Sequence, residues 1–182
     1  FSIVLSLWEF TQTIGRWLVL PIFKSGEKGD LSNYRPISLI SAIAKVFCRL
    51  VYDQFYTYLA SNRLINSYQS GFRPTYSTLT SLLESTNNWC VNIDRGLLNG
   101  VVFIDLRKAF DTIDHEVLLS KLRAYGVDEL ALPWFRSYLT GRRQRCFVNG
   151  QFSDSSFITK SVPQGSIIGP LLFLVYINEL PE

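Results

Sequence analysis

The chain has no methionine and one histidine, His115, among its 182 residues. Lacking an initiator residue, it is expected to be a piece of a longer reading frame. A single histidine argues against a histidine-based metal cluster or a Ser-His-Asp triad. Cysteine is scarce as well: Cys48, Cys90 and Cys146 are odd in number and far apart. Such spacing suits neither a zinc site nor a disulfide framework, and fits small buried hydrophobes in a reducing compartment. No Walker loop, dinucleotide fingerprint, repeat or low-complexity tract occurs. The longest apolar stretch, residues 167–177, is interrupted by Gly169-Pro170 and falls short of the about 20 residues a bilayer requires. Residues 1–8 have neither the basic flank nor the cleavage site of a secretory signal.

What is present is apolar and aromatic. Hydrophobic residues make up 47% and charged residues 18%, enough for a real core and too apolar for disorder. The length allows one ordinary domain or part of a larger one. The 13 Phe, 9 Tyr and 4 Trp serve packing and offer faces on which bases can stack. Net charge is +3, with 12 Arg against 6 Lys, a bias that suits bidentate phosphate contacts and is compatible with a nucleic-acid partner.

Periodicity and punctuation predict a short helix over the first residues and a strand around Trp17 to Phe23. A polar loop over 24–30 and an extended segment at 33–39 follow, the latter because Arg35 precedes a proline. Ser41 is the expected N-cap of a helix to about Ala60, with Ile43, Phe47, Leu50, Val51, Gln54, Tyr58 and Leu59 marking its face. Ser77 or Thr78 opens a second helix, Asp114 a third, and a fourth covers about 129–139. Asn149-Gly150 is a strong hairpin signal between strands near 146–148 and 152–158. Val162-Pro163-Gln164-Gly165-Ser166 opens a last helix through Leu180. This order predicts an α+β fold with a small, largely antiparallel sheet.

The most informative run is Val101-Val102-Phe103-Ile104-Asp105-Leu106-Arg107-Lys108-Ala109-Phe110-Asp111. Four apolar residues in a row read as a buried strand, here 101–106, ending on a carboxylate. A buried acid needs a partner, and a divalent cation is a common one. A carboxylate at a strand tip near a bulky aromatic suits a polymerase that holds magnesium and a nucleoside triphosphate together. Asp105 as a simple N-cap or turn residue stays open from this segment alone.

Four segments together resemble the reverse transcriptase of non-LTR (LINE-type) retrotransposons. They are Pro21-Ile22-Phe23-Lys24-Ser25-Gly26 with Asn33-Tyr34-Arg35-Pro36-Ile37-Ser38-Leu39; Gln69-Ser70-Gly71-Phe72-Arg73-Pro74 with Ser77-Thr78; Phe103 through His115; and Val162-Pro163-Gln164-Gly165-Ser166 with Gly169-Pro170-Leu171-Leu172-Phe173. The resemblance implies the fingers (1–95) and partial palm (96–182) of a right-hand polymerase. It implies an RNA template, a DNA primer, deoxynucleoside triphosphates and two Mg2+ ions as partners, and work in cytoplasm and nucleus with no membrane role.

Roles follow from the same resemblance. Asp105 is the first catalytic aspartate and a metal ligand, and the Leu106 carbonyl is a further ligand. Phe110 is the sugar gate that excludes a ribose 2′-hydroxyl; core packing is its plainer alternative. Arg73, and Lys24 near the same cleft, contact the incoming triphosphate, or else are solvated surface charges. Gln164 and Gly165 form the loop under the nucleotide and template base, where a glycine permits close backbone approach. Asp111 and Asp114 have structural roles, a turn contact and a helix cap. Arg142, Arg143 and Arg145 touch template or primer phosphates or simply lead into the hairpin.

One departure matters. The family completes its metal site with an aromatic-x-Asp-Asp hairpin and continues into a thumb, whereas this sequence has no Asp-Asp pair. The expectation is a domain truncated before that motif and inactive alone. A non-catalytic nucleic-acid- or protein-binding remnant of a decayed or domesticated element is the alternative. A group II intron maturase shares the Asp105 and Gln164 motifs and is a further one.

Overall fold

Strand β1, Trp17–Phe23, organises a five-stranded mixed sheet. It pairs antiparallel with β2, Tyr34–Leu39, and parallel with β3, Arg143–Val148. Both prolines of this region avoid breaking a ladder. Pro36 lies in edge strand β2, and Pro21 lies beyond the Trp17–Val19 stretch that β3 contacts. The computed structural model describes residues 17–180, so the helix expected over the first residues lies outside the described residues.

The hairpin forms where Asn149-Gly150 predicts it, with both residues at positive φ, 51° and 79°. Its return is broken into two short strands, β4 (Gln151–Phe152) and β5 (Ser156–Phe157), each antiparallel to β3. The break follows from Ser153, whose Oγ accepts from the Cys146 amide at 3.0 Å and replaces a ladder bond. The parallel pairing of β1 with β3 is what a purely local reading of hairpins misses.

The described residues form five α-helices, four of which pack around one core. Helix α1, Ala42–Ser61, starts on Ser41, whose side chain accepts from the Ala44 amide. Its buried face is Ala44, Cys48, Val51, Phe55 and Leu59, while Ile43 and Leu50, expected on the inner face, are exposed. Helix α2, Thr78–Asp94, has a reciprocal cap between Ser77 and Thr80 and no buried residue. Helix α3, His115–Ala124, is capped by Asp114, which accepts from the Glu116 and Val117 amides. Helices α4, Leu132–Leu139, and α5, Gly169–Ile177, complete the set. The core gathers α1, α3, α4 and α5 around Trp134, Tyr138, Leu118, Leu122, Leu171 and Leu172. No helix among the described residues is long and apolar enough to cross a membrane.

The expected buried strand over 101–106 is corrected by the structure. The segment has no ladder partner among the described residues, and Val102, Phe103 and Ile104 are 84%, 87% and 71% exposed. Apolar character marks a segment that can be buried; a strand also needs a neighbour to hydrogen-bond. Here the sheet is built from β1–β5, and 101–106 runs outside it.

A small hub joins the start of α3 to the loop before α5. The Ser161 amide donates to the Ile113 carbonyl at 2.8 Å, and the Val162 amide to the Phe110 carbonyl at 3.1 Å. The Ser161 carbonyl accepts from His115 Nε2 at 2.8 Å and from Arg142 Nη2 at 2.9 Å. Burial lowers the His115 pKa below the ordinary histidine value and outweighs the Ser161 hydrogen bond, which favours the charged ring; Arg142 adds to the lowering, while Asp114 and Glu116 oppose it.

The unfolded chain therefore takes up a proton that the folded one resists. This contribution to stability is complete above the unfolded histidine pKa and declines as pH falls through it toward the lower folded value. Urea unfolding is expected to show a falling midpoint between about pH 7.5 and about pH 5.5, with His115→Gln flattening that slope. An unchanged slope in the variant would place the pH dependence elsewhere.

Candidate nucleotide site

Phe110 lies where three separate segments meet. Its ring stacks on Phe173 of α5 at 4.7 Å between centroids and 29° between planes. The Phe72 ring stands against it edge-on, at 5.9 Å and 85°. Its carbonyl accepts from Val162, which leads into the Gln164-Gly165 loop. A tight turn delivers this geometry: Lys108 has φ 52°, and the Asp111 amide donates back to the Lys108 carbonyl at 2.8 Å.

The Gln164 loop is held on two sides. Gln164 Nε2 donates to Asp111 Oδ1 at 2.8 Å, and the Gln164 carbonyl accepts from the Ser38 amide of β2 at 2.9 Å. Gly165 has φ +94°, and a Cβ there would sit 3.3 Å from both Ile37 Cγ2 and the Ser38 carbonyl. The close backbone approach this glycine permits is thus to β2 of its own chain. Below the loop, Tyr138 donates its buried hydroxyl to Ser166 Oγ at 2.7 Å, which in turn accepts from the Gly169 amide at the start of α5. Burial drives the Tyr138 pKa upward, keeping it a neutral donor.

Arg73 is seated beside this cluster. Its Nη1 donates to the Gln69 and Asn66 carbonyls, at 2.8 and 3.3 Å, and its guanidinium lies 4.1 Å from the centre of the Tyr76 ring. Its Nε is buried without a hydrogen-bond partner. The loop is fastened to the end of α5: Asn178 Oδ1 accepts from the Asn66 amide at 2.9 Å, and its Nδ2 donates to the Leu64 carbonyl.

Asp105 and Leu106 precede this cluster on the exposed 101–106 segment. Leu106 lines a cavity of about 450 Å³ with Arg107, Lys121, Phe173 and Tyr176, so that Phe173 borders both the cavity and the Phe110 ring. Lys24 follows β1 in an exposed loop, and its backbone amide donates to the Asn33 carbonyl. The same loop comes near the turn: hydrogen bonds from Ser32 lower the Asp30 pKa, with a smaller share from the charges of Lys108 and Arg107.

Among the described residues no three His, Cys, Asp or Glu side chains are grouped to hold a metal ion. One carboxylate, Asp105, with a neighbouring carbonyl does not make a two-ion site. Of the three arginines before the hairpin, Arg142 is corrected. It is 4% exposed and spends its guanidinium on the Leu139 and Ser161 carbonyls, and burial lowers its pKa to about 10. It clamps the fold from inside and offers no outward face to a phosphate. Arg143 is exposed and covers the Phe157 ring at 4.1 Å, while Arg145 is half-buried.

Comparison with known proteins decides the family. Residues 24–182 match the model described as reverse transcriptase (RNA-dependent DNA polymerase). The chain belongs to the reverse transcriptase family. It is 33% identical over 170 residues to a Drosophila melanogaster protein named "Probable RNA-directed DNA polymerase from transposon BS", covering 90% of this chain and 18% of that one. It is 30% identical over 186 residues to the "Probable RNA-directed DNA polymerase from transposon X-element" of the same fly, covering 100% and 20%. It is 29% identical over 183 residues to the "RNA-directed DNA polymerase from mobile element jockey" of Drosophila funebris, again covering 100% and 20%. This reverse transcriptase domain thus spans about a fifth of the length of these relatives.

Several contacts of the domain were not legible as site features. Phe72 and Phe173 fall inside the recognised segments, yet nothing in the one-dimensional pattern joins either to Phe110. The Asp111–Gln164 bond spans 53 positions and has no local signature. Gly165→Ala is expected to destabilise the domain by about 1–3 kcal/mol, from the left-handed backbone and the crowding against β2. A melting temperature equal to the parent's would show that the loop does not need its glycine.

Proposed function

We propose that this domain forms the fingers and partial palm of a right-hand RNA-directed DNA polymerase, with 1–95 as fingers region and 96–182 as partial palm. In the sheet, β1 and β2 from the first stretch join β3–β5 from the second. The proposed substrates are deoxynucleoside triphosphates, an RNA template and a DNA primer. The observation that supports this best is the convergence of 66–76, 161–166 and α5 on Phe110 and its neighbour Asp111.

Each residue has a task in this reading. Phe110 presents its ring to the sugar and excludes a 2′-hydroxyl. Gln164, oriented by Asp111, and Gly165 lie beneath the nucleotide and template base. Arg73, whose Nε lacks an internal partner, meets the triphosphate, and Lys24 adds charge near the same cleft. Arg143 and Arg145 contact template or primer phosphates; Arg142 leaves that set.

Asp105 and the Leu106 carbonyl belong, in the whole protein, to a set that holds Mg2+, with its other carboxylates coming from outside the described residues. Bound there, such ions would supply charge stabilisation to nucleotidyl transfer.

Two outcomes follow. The 182-residue chain alone is expected to give no templated, magnesium-dependent DNA synthesis; extension of a primer by the purified chain would refute this. In the full-length polypeptide that carries it, Asp105→Asn is expected to abolish synthesis with an unchanged circular dichroism spectrum. Retained activity would remove Asp105 from the metal site. Primer–template binding without any synthesis by the parent polypeptide would favour the non-catalytic remnant.

A further inference from the structure

The ring of Phe110 is not held by its own backbone alone. It lies between Phe173, which stacks on it, and Phe72, which meets it edge-on. The two neighbours come from different parts of the chain: Phe173 from within α5, Phe72 from the loop between α1 and α2. We propose that Phe72 and Phe173 are positioning residues for the Phe110 ring, so that selection against ribonucleotides depends on the seating of the 66–76 loop. This rests on the reading of Phe110 as the sugar gate.

Three observations carry it. First, an aromatic ring turns about two side-chain torsions, and a sugar is excluded only if the ring is fixed in the orientation that fills the 2′ position. A stacked ring and an edge-on ring restrict both torsions, each with an attraction of about 0.5–1.5 kcal/mol beyond simple burial.

Second, Phe72 is 54% exposed, so core packing does not explain its placement. It also has φ 55°, an uncommon backbone state for a bulky residue. A left-handed aromatic residue that remains half-exposed yet sets its ring against Phe110 is placed there by the loop geometry. Strain of this kind collects at ligand clamps and switch segments.

Third, the loop and the helix that supply the two rings are tied to each other. Asn178, just past α5, binds the backbone of Asn66 and Leu64, and Gln69 Nε2 reaches the Ile177 carbonyl at 3.4 Å. Arg73, next to Phe72, is bonded to the Gln69 and Asn66 carbonyls. A triphosphate drawing on Arg73 would therefore act on the same loop that aims Phe72. Sugar and phosphate recognition are coupled through one ring contact.

The test uses the full-length polypeptide on an RNA template with a DNA primer. It reads the ratio of kcat/KM for a deoxynucleotide to that for the matching ribonucleotide. The ratio does not depend on how much of each preparation is folded, so a merely structural defect leaves it unmoved. Phe72→Leu and Phe173→Leu are each expected to lower it by about fivefold or more, and Phe72→Tyr to restore it, because the ring and not apolarity is required.

Phe72→Gly separates ring from backbone: glycine accepts the positive φ and removes the ring, and the ratio is expected to fall as it does for leucine. Where a variant turns over too slowly, competition of deoxy- and ribonucleotide for the stalled primer–template complex is read instead. Phe110→Val is the control for the gate itself. If it lowers the ratio and the Phe72 and Phe173 variants do not, the positioning role is overturned and the gate stands. If Phe110→Val leaves the ratio unchanged, the gate reading fails and this inference with it.

Discussion

The carbonyl of Ser161 is the point on which the site depends. Its two lone pairs are taken by a buried imidazole and a buried guanidinium, and its own amide is bound to the Ile113 carbonyl. Ser161 sits at φ 95°, a conformation a non-glycine residue holds only where its surroundings over-determine it. From this hub the chain runs one way into the Gln164 loop, and its partners lead back to Phe110 and Asp111. An arginine whose sequence context suggests a phosphate contact is instead an internal tie. Without it, the carbonyl and the turn it anchors would lose a charged donor inside the protein.

From that anchor the site divides into two halves of unequal completeness. The half proposed to face the nucleotide is built: the Phe110 ring between two others, a glutamine oriented by an aspartate, a glycine loop fitted against β2, and an arginine whose Nε lacks a partner. The half proposed to face the metal supplies Asp105 on a segment that pairs with nothing described. Exposed Val102, Phe103 and Ile104 have the composition of a buried strand without its neighbours. A single carboxylate on such a segment can be one ligand among several and cannot define a metal site.

Much of this was legible in the sequence where the physics is local. Ser41, Ser77 and Asp114 announced their helices because a cap is a bond within three residues. Asn149-Gly150 announced its hairpin because only a few residue types accept that turn. The reverse transcriptase motifs were legible because short segments in a fixed order are specific. Pairings across distance were not: the parallel β1–β3 contact, the Asp111–Gln164 bond and the meeting of Phe72 with Phe110 have no local signature. Burial departs from residue character in opposite directions at two places. The run 101–106 was apolar enough to be a buried strand and lies exposed, and Arg142 was charged enough to be outside and lies inside.

Backbone hydrogen exchange followed by mass spectrometry on the purified chain tests most directly whether one half of the site is assembled and the other is not. Slow exchange is expected at the Ser161, Val162, Asp111 and Ser38 amides, all hydrogen-bonded within the clamp, and fast exchange at 101–106, where no partner is described. Protection of 101–106 as strong as that of α3 and α4, or fast exchange at Ser161 and Val162, would contradict this division of the site.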